Sequence, residues 1–240
     1  MTMLAGKRVL VTGGTTGIGR ATVHQLSREG ACALTFARHQ PELDDAIMAA
    51  PGPGPVYGLT ADIATREGVA AVFEAVDAQL GGLDMLIACA ALGARPLQEM
   101  EEEAWRYVVE TNLVGYLACA RAAMRRMENG GHLLFASSIS PEIKAPGESV
   151  YAATKAGVNA FAETLRKEVA ERNIKVTVIE PGSVATDMQE CTAQEKREGG
   201  ARHEMLHAEE VAEAILFALT RSERCDLVSL RIEPRLQKNA

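Results

Sequence analysis

Short apolar runs alternate with segments of helical periodicity along most of the 240-residue chain. The runs are continuous, which is typical of strands that are covered on both faces. Repeated strand–helix–strand order predicts an α/β fold: a parallel, doubly wound sheet with right-handed crossovers and helices on both faces. The predicted strands, about seven in number, are Arg8–Thr12, Ala33–Ala37, Val56–Thr60, Met85–Ala88, His132–Ser137, Val176–Glu180 and Leu227–Ile232.

The helical patterns lie between these strands, at about 17–29, 65–80, 101–127, 150–171 and 208–221. A chain of 240 residues can bury a sizeable core and falls within the range of one α/β domain. The proline- and glycine-rich stretch 51–55 is too short for a domain linker. We therefore expect residues 1–240 to form a single domain.

Charge and hydropathy exclude several classes of protein. The formal net charge is −7 without a basic stripe, so phosphate backbones are repelled and no nucleic-acid partner is expected. No apolar run approaches the roughly 18 residues that cross a bilayer, and the N-terminal run is too short for a signal peptide. We expect a soluble, cytoplasmic protein without a membrane partner. The five cysteines lack a Cys-x-x-Cys pair, which argues against a metal site or disulfides.

The first predicted strand runs directly into a glycine-rich turn, residues 13–19, and a helical pattern follows. Glycine lets the backbone turn sharply after a strand and lets a pyrophosphate approach the amides at a helix N-terminus. A plain glycine-rich turn is the alternative, but the position in the first strand–helix–strand unit favours nucleotide binding. The expected cofactor contacts are Gly13, Thr15, Thr16, Gly17, Ile18 and Gly19.

Tyr151 is the only tyrosine with a lysine four residues later, Lys155. This spacing places both side chains on one face of a helix, with the ammonium beside the phenol. A nearby cation predicts a tyrosine pKa below its reference of about 10, closer to the range useful for general acid–base catalysis. A core tyrosine and a solvated lysine are the alternatives.

Ser138 ends the fifth predicted strand, 13 positions before Tyr151. A hydroxyl there can hydrogen-bond a substrate oxygen and stabilise the charge that develops on it. Ser137 is the competing candidate, and a strand-end cap is the structural alternative.

The turn spacing Gly-x-x-x-Gly-x-Gly, followed by Ser138, Tyr151 and Lys155, resembles the short-chain dehydrogenase/reductase family in its single-domain branch. The resemblance covers about residues 7–188 and, more loosely, the C-terminal helix and strand. It implies a Rossmann-like fold and an oxidoreductase. Hydride would pass reversibly between nicotinamide C4 and a carbonyl or alcohol substrate, without a metal.

The resemblance also implies roles for the catalytic residues. Tyr151 is the general acid or base, and Ser138, favoured over Ser137 by its spacing to the tyrosine, polarises the carbonyl. Lys155 hydrogen-bonds the nicotinamide ribose. Asn112 matches the family's site asparagine, which holds a water that links the lysine to solvent as a proton relay.

The end of the second strand bears on the choice between two cofactors. An acid there would bind the ribose hydroxyls of NAD(H) and repel a 2′-phosphate. The sequence instead has Arg38, which can form charge-assisted bonds to a phosphate, so NADP(H) is preferred over NAD(H). A solvated arginine is the alternative. Asp62 and Ile63 resemble the family's adenine-contacting pair, and a helix N-terminal acid is a further open role for Asp62.

The segment Pro181–Thr186 follows the sixth strand. Pro181 and Gly182 stop the strand and turn the backbone toward the cofactor. By resemblance, the Val184 backbone and the Thr186 hydroxyl contact the nicotinamide carboxamide. An ordinary strand-end turn is the alternative.

The sequence departs from the family after the fourth strand, where Ala88-Cys89-Ala90-Ala91 replaces the usual Asn-Asn-Ala-Gly. The change removes hydrogen bonds that tie neighbouring strands together and adds a methyl near the cofactor ribose, in a segment where Ala90 is an expected cofactor contact. It also supports a rival hypothesis, a non-catalytic NADP(H)-binding sensor or scaffold. A methyltransferase with a Rossmann-like sheet is a third, which would not need Tyr151 and Lys155.

Two further expectations follow from the resemblance. Residues of about 188–207 lie where family members place a mobile lid over the substrate, and a solvated surface loop is the alternative. Helices 101–127 and 150–171 resemble those through which members pair, so a homo-dimer or homo-tetramer is expected.

Overall fold

Seven strands form one parallel sheet in the computed structural model, which describes residues 3–128, 130–189 and 191–237. The strands are β1 (Arg8–Thr12), β2 (Cys32–Ala37), β3 (Val56–Thr60), β4 (Met85–Ala88), β5 (Gly131–Ala136), β6 (Ile174–Pro181) and β7 (Ser229–Ile232). Their spatial order is β3-β2-β1-β4-β5-β6-β7, and each neighbouring pair is parallel. The predicted doubly wound, single-domain sheet of about seven strands is confirmed. Of the predicted domain, residues 1–2, 129, 190 and 238–240 lie outside the described part.

The helices are α1 (Gly17–Arg28), α2 (Gln40–Met48), α3 (Arg66–Ala75), α4 (Glu102–Val109), α5 (Gly115–Met124), α6 (Ser140–Ile143), α7 (Ser149–Val169), α8 (Ala193–Ala201) and α9 (Ala208–Leu219). Two π-helical turns, Val76–Leu80 and Glu110–Val114, continue α3 and α4, and 3-10 turns occupy Leu97–Glu99 and Ala170–Arg172. Among the described residues, no helix is long and apolar enough to span a bilayer.

The alternation of side chains along each central strand divides the core into two layers. In β1, Val9 and Val11 face a layer that also contains α1 and α9. Leu10 points the other way, into a layer that contains α3, α5 and α7. Helices therefore cover both faces of the sheet, as predicted.

The edge strands correct one expectation. β3 and β7 were predicted to be covered on both faces, but their residues are only half-buried or exposed. They are the first and last strands of the sheet, so each lacks a neighbour on one side and helices cover them incompletely. An apolar run alone does not distinguish an edge strand from a central one.

Three helices were not predicted from the sequence: α2, α6 and α8. Only Leu43 and Ala46 of α2 are buried, so its apolar periodicity is weak. In α8, which lies inside the predicted lid 188–207, only Gly199 is buried, and a capping box between Thr192 and Glu195 starts the helix. Residue 190 of this lid lies outside the described residues. The predicted helix 101–127 is α4 and α5, joined by the π-helical turn.

The sheet reverses its winding between β1 and β4. In open α/β sheets, ligands bind in the crevice outside the carboxyl ends of the strands at such a point. The segments that follow β1, β4, β5 and β6 all meet at this edge, and they carry most of the predicted site residues.

Candidate active site

Glycines let the turn after β1 pack closely against neighbouring backbone. Gly13 and Gly17 have φ angles of +68° and +50°, in the left-handed region that favours glycine. A Cβ at Gly13 would lie 2.7 Å from the Cα of Ala90, and one at Gly19 would lie 2.2 Å from the Gly13 carbonyl oxygen. The Thr16 side chain makes no capping bond to α1, whose first turn has no acidic residue. The amides at this helix start are therefore available to a phosphate.

The other predicted contacts of the turn have different exposures. Thr15 is buried, Thr16 is exposed, and Ile18 is half-buried against the layer of α1 and α9. A Cβ at Gly17 would lie 3.0 Å from the Thr186 methyl carbon. The segment after β6 therefore reaches the first turn across the crevice.

Two side chains hold the backbone after β4, where the family's asparagines are missing. The Thr12 hydroxyl oxygen accepts hydrogen bonds from the Cys89 and Ala90 amides, both at 3.0 Å. Asn112 accepts from the Leu92 amide at 2.8 Å and donates to the Leu92 carbonyl at 2.7 Å. These bonds offset the expected loss of side-chain hydrogen bonds in this segment. Cys89 is half-buried, and burial raises its thiol pKa to about 12, although the charge of Lys155 acts in the opposite direction.

Asn112 is fully buried in the π-helical turn Glu110–Val114, a local distortion that occurs often at functional sites. Both ends of its amide are engaged with the Leu92 backbone, and the nitrogen also lies 3.5 Å from the Thr154 hydroxyl. The side chain is therefore a backbone clamp in this structure, whereas the resemblance implied a water ligand.

The two serines after β5 point in different directions. Ser137 is buried and donates a hydrogen bond to the Lys155 carbonyl at 3.3 Å. The Ser138 hydroxyl donates to the Ser140 hydroxyl and accepts from the Ser140 amide, both at 3.1 Å. Ser138 also hydrogen-bonds Tyr151, which acts to lower the tyrosine pKa. Of the two candidates, Ser138 is the one beside the tyrosine hydroxyl.

Tyr151 and Lys155 lie in the first turns of α7. The Nζ of Lys155 is 5.6 Å from the centre of the Tyr151 ring and 5.1 Å from that of Tyr116. It donates to the Ala136 carbonyl at 2.8 Å, and Tyr116 donates to the same oxygen at 3.3 Å. Burial lowers the pKa of Lys155 to about 8, against a smaller opposite effect of Cys89. The sequence did not single out Tyr116, whose contact with the lysine depends on packing alone.

The pKa of Tyr151 differs from the sequence-based expectation. Burial raises it to about 12, the bond with Ser138 acts in the opposite direction, and the Glu148 carboxylate raises it further. The expected pKa below 10 is therefore wrong for this structure. The Lys155 ammonium is directed to the Ala136 carbonyl, and the side chains that act on the phenol are Ser138 and Glu148.

The ends of β2 and β3 meet at the end of the crevice where the resemblance predicts the adenosine. Arg38 is exposed, and its Nη1 donates to the Tyr107 hydroxyl at 3.2 Å. That hydroxyl donates to the Asp62 carboxylate at 2.8 Å, whose other oxygen accepts from the Ala64 amide at 2.9 Å. Ile63 is buried. Asp62 thus braces the turn before α3, in agreement with a role as a helix N-terminal acid, and its contact with the adenine stays a prediction. Sequence reasoning missed Tyr107, because no local pattern connects it to either strand end.

The segment after β6 is held from two sides. Pro181 ends the strand, and the Gly182 amide donates to the Ile232 carbonyl at 2.8 Å. Val184 is buried, and the next amide donates to the Leu206 carbonyl at 2.9 Å. The side-chain amide of Gln237 accepts from the Ser183 amide at 2.9 Å and donates to the Ser183 hydroxyl at 3.1 Å.

Known proteins resemble this chain in sequence and in fold. The family model described as short chain dehydrogenase matches residues 7–197. The 3-oxoacyl-(acyl-carrier-protein) reductase of Haemophilus influenzae is 32% identical over 89% of this chain and 90% of its own length. The corresponding reductase of Thermotoga maritima is 33% identical over the same shares of the two chains.

Solved structures agree with the sequence comparison. An L-sorbose reductase from Gluconobacter frateurii, in complex with NADPH and L-sorbose, is 26% identical, covers 99% of both chains and has a TM-score of 0.87. The chain belongs to the short-chain dehydrogenase/reductase family. It is therefore an oxidoreductase of a family that binds nicotinamide cofactors.

Proposed function

We propose that this protein is an NADP(H)-dependent oxidoreductase that interconverts a carbonyl group and a secondary alcohol, with Tyr151 as the general acid–base group. The observation that carries the proposal is the meeting of Tyr151, Ser138 and Lys155 at one sheet edge. This edge also carries the glycine turn after β1. Family membership supports the same reaction class.

The residues present fit a dinucleotide. Backbone packs against Gly13 and Gly19 too closely for a Cβ, which keeps the turn tight, and the uncapped start of α1 would hold the pyrophosphate. Asp62, with Ile63 and Ala90, would line the adenosine half. The Val184 backbone and the Thr186 hydroxyl, after Pro181 and Gly182, would hold the carboxamide. When bound, the cofactor supplies or accepts the hydride at nicotinamide C4.

The protein side chains would handle the proton. In the reduction direction, Tyr151 donates its phenolic proton to the substrate oxygen while the Ser138 hydroxyl hydrogen-bonds the same oxygen. Lys155, whose pKa is lowered to about 8, can exchange a proton near neutral pH and so resupply the tyrosine. It would also hydrogen-bond the nicotinamide ribose. Asn112 would keep the segment after β4 in place beside this relay, because its amide holds the Leu92 backbone.

Arg38 supports NADP(H) over NAD(H). The end of β2 carries no carboxylate that would repel a 2′-phosphate. Within the part of the chain that the structure describes, the Arg38 guanidinium forms no ion pair, so its charge is available to a phosphate. NADPH is also the cofactor in the L-sorbose reductase complex.

Tyr151→Phe tests the catalytic assignment, because it removes the phenolic hydroxyl that would donate the proton and keeps the ring. We expect NADPH affinity within about threefold of wild type and a turnover lowered by about 10²- to 10⁴-fold, as for loss of a general acid. The assay is NADPH or NADH oxidation, followed by absorbance, over aldehydes, ketones and keto acids. A 3-oxoacyl thioester and a ketose belong in the panel because relatives reduce such substrates by name. Normal turnover in this variant would refute the assignment.

The altered segment Ala88–Ala91 favours a second candidate, an NADP(H)-binding sensor or scaffold on the same fold. Tight NADPH binding without turnover of any substrate in the panel would support it. The intact Ser138, Tyr151 and Lys155 argue for the enzyme.

Two surfaces support further proposals. Residues 188–207 would act as a substrate lid. Met188, at the start of this segment, lies beside the loop after β4, since a Cβ at Gly93 would be 3.6 Å from the Met188 side chain.

Val114 and Leu117, where the π-helical turn leads into α5, are 44% and 38% exposed, which supports pairing with a second copy. Light scattering during gel filtration tests the oligomer: a monomeric mass would contradict it.

A further inference from the structure

Tyr107 joins the two charged side chains at the adenosine end of the crevice. Its hydroxyl donates to the Asp62 carboxylate at 2.8 Å and accepts from the Arg38 Nη1 at 3.2 Å. The guanidinium carbon of Arg38 also lies 5.9 Å from the centre of the Tyr107 ring. A single phenol on α4 therefore connects the end of β2 with the end of β3.

The phenol separates the cation from the anion. Among the described residues, Arg38 and Asp62 form no direct ion pair, although one hydroxyl bridges them. A guanidinium has five N–H donors, so the bond to Tyr107 leaves donors for an incoming phosphate. Burial and the bond to Asp62 raise the pKa of Tyr107, against a lowering by Arg38. The hydroxyl therefore stays protonated and can donate to Asp62.

We propose that Tyr107 is a positioning residue for the 2′-phosphate of the cofactor, and that it acts by holding the Arg38 guanidinium in place. Arg38 is exposed, and a long exposed side chain loses rotamer freedom when a ligand orders it. A side chain that is already held loses less, and the affinity rises accordingly. The inference rests on the proposed NADP(H) function and adds to it a residue that lies outside the glycine turn and the strand ends.

Binding of adenosine 2′,5′-bisphosphate and of 5′-AMP, measured by calorimetry, separates the 2′-phosphate from the adenine and requires no turnover. Tyr107→Phe removes the hydroxyl and keeps the ring. We expect about three- to tenfold weaker binding of the bisphosphate, the range of one net hydrogen bond, with 5′-AMP affinity within about twofold of wild type. Tyr57→Phe is the matched control: Tyr57 is a half-buried β3 tyrosine whose hydroxyl has no hydrogen-bond partner in the described part of the chain.

A double-mutant cycle shows whether Tyr107 acts through Arg38. Arg38→Gln should weaken the bisphosphate and leave 5′-AMP nearly unchanged. In that background, Tyr107→Phe should add no further loss. A further loss of the same size, or Tyr107→Phe protein that binds the bisphosphate as tightly as wild type or more tightly, would overturn the inference.

Wild-type behaviour separates this inference from the proposed function. Protein that binds the bisphosphate no more tightly than 5′-AMP, and NADPH no more tightly than NADH, would contradict the NADP(H) preference itself. A preference that depends on Arg38 and not on Tyr107 would overturn only the role of the tyrosine.

Discussion

The Nζ of Lys155 lies 5.6 Å from the centre of the Tyr151 ring, yet it donates its hydrogen bond to the Ala136 carbonyl at 2.8 Å. Burial lowers the pKa of the lysine to about 8 and raises that of the tyrosine to about 12. Both shifts favour the neutral form, because a low-dielectric environment penalises charge. At neutral pH the phenol therefore carries its proton, as a proton donor requires.

Lys155→Met should lower turnover by about 10²-fold or more, because it removes the group that resupplies the proton. The unfolding midpoint in urea should stay close to wild type, since Tyr116 still donates to the Ala136 carbonyl. Lys167→Met is the control: this lysine lies on the same helix, is 62% exposed and pairs with Glu163. Near-normal turnover of the Lys155 variant would contradict its role.

Asn112→Ala should lower the free energy of unfolding by about 1–3 kcal/mol, because it leaves the Leu92 amide and carbonyl without their partner. Asn112→Asp should also destabilise the protein, since a carboxylate oxygen would then face the Leu92 carbonyl. Urea titration followed by circular dichroism measures both. An alanine variant as stable as wild type would show that the clamp contributes little.

Gly13→Ala and Gly81→Ala form a matched pair, because both glycines have a φ of +68°. Each should lose about 1–2 kcal/mol of stability from the left-handed backbone. A Cβ at Gly81 meets no atom within 4 Å, whereas one at Gly13 meets the Ala90 backbone at 2.7 Å. Only Gly13→Ala should therefore weaken NADPH binding, as measured by fluorescence titration. Equal NADPH affinities of the two variants would contradict a cofactor role for the turn.

His132 predicts a loss of stability in mild acid. Its Nε2 lies 2.8 Å from the Thr177 hydroxyl, and burial, with a smaller effect of Lys175, lowers its pKa to about 3. The unfolded state therefore binds more protons than the folded state between about pH 6.5 and 3. The free energy of unfolding decreases as the pH is lowered through this window.

The expected contribution of His132 is about 2 kcal/mol between pH 7 and 5. His132→Gln should reduce this pH dependence, whereas substitution of the exposed His39 by glutamine should not. Urea unfolding at the two pH values measures the difference. An unchanged slope in the His132 variant would assign the acid sensitivity to other groups.

Local patterns located much of the fold. β1, β3 and β4 begin and end at the predicted residues, because each is a short, mostly apolar run that follows Lys7, Pro55 or Asp84. The sequence did not predict helices α2 and α8, because only two residues of α2 and one residue of α8 are buried. A capping box starts α8, whereas α2 has no side-chain cap and carries Pro41 in its first turn.

By itself, the sequence determined the order of the motifs, from the Gly13–Gly19 turn through Ser138 and Tyr151, because short-range spacing and strand-end position can be read along the chain. Only the tertiary structure decided the partners of these groups. Tyr107 meets Arg38 and Asp62 across 69 and 45 residues of sequence. The pKa shift of Tyr151 likewise follows from burial. Such contacts and desolvation depend on how elements that are far apart in sequence pack together, and a local sequence pattern does not encode this packing.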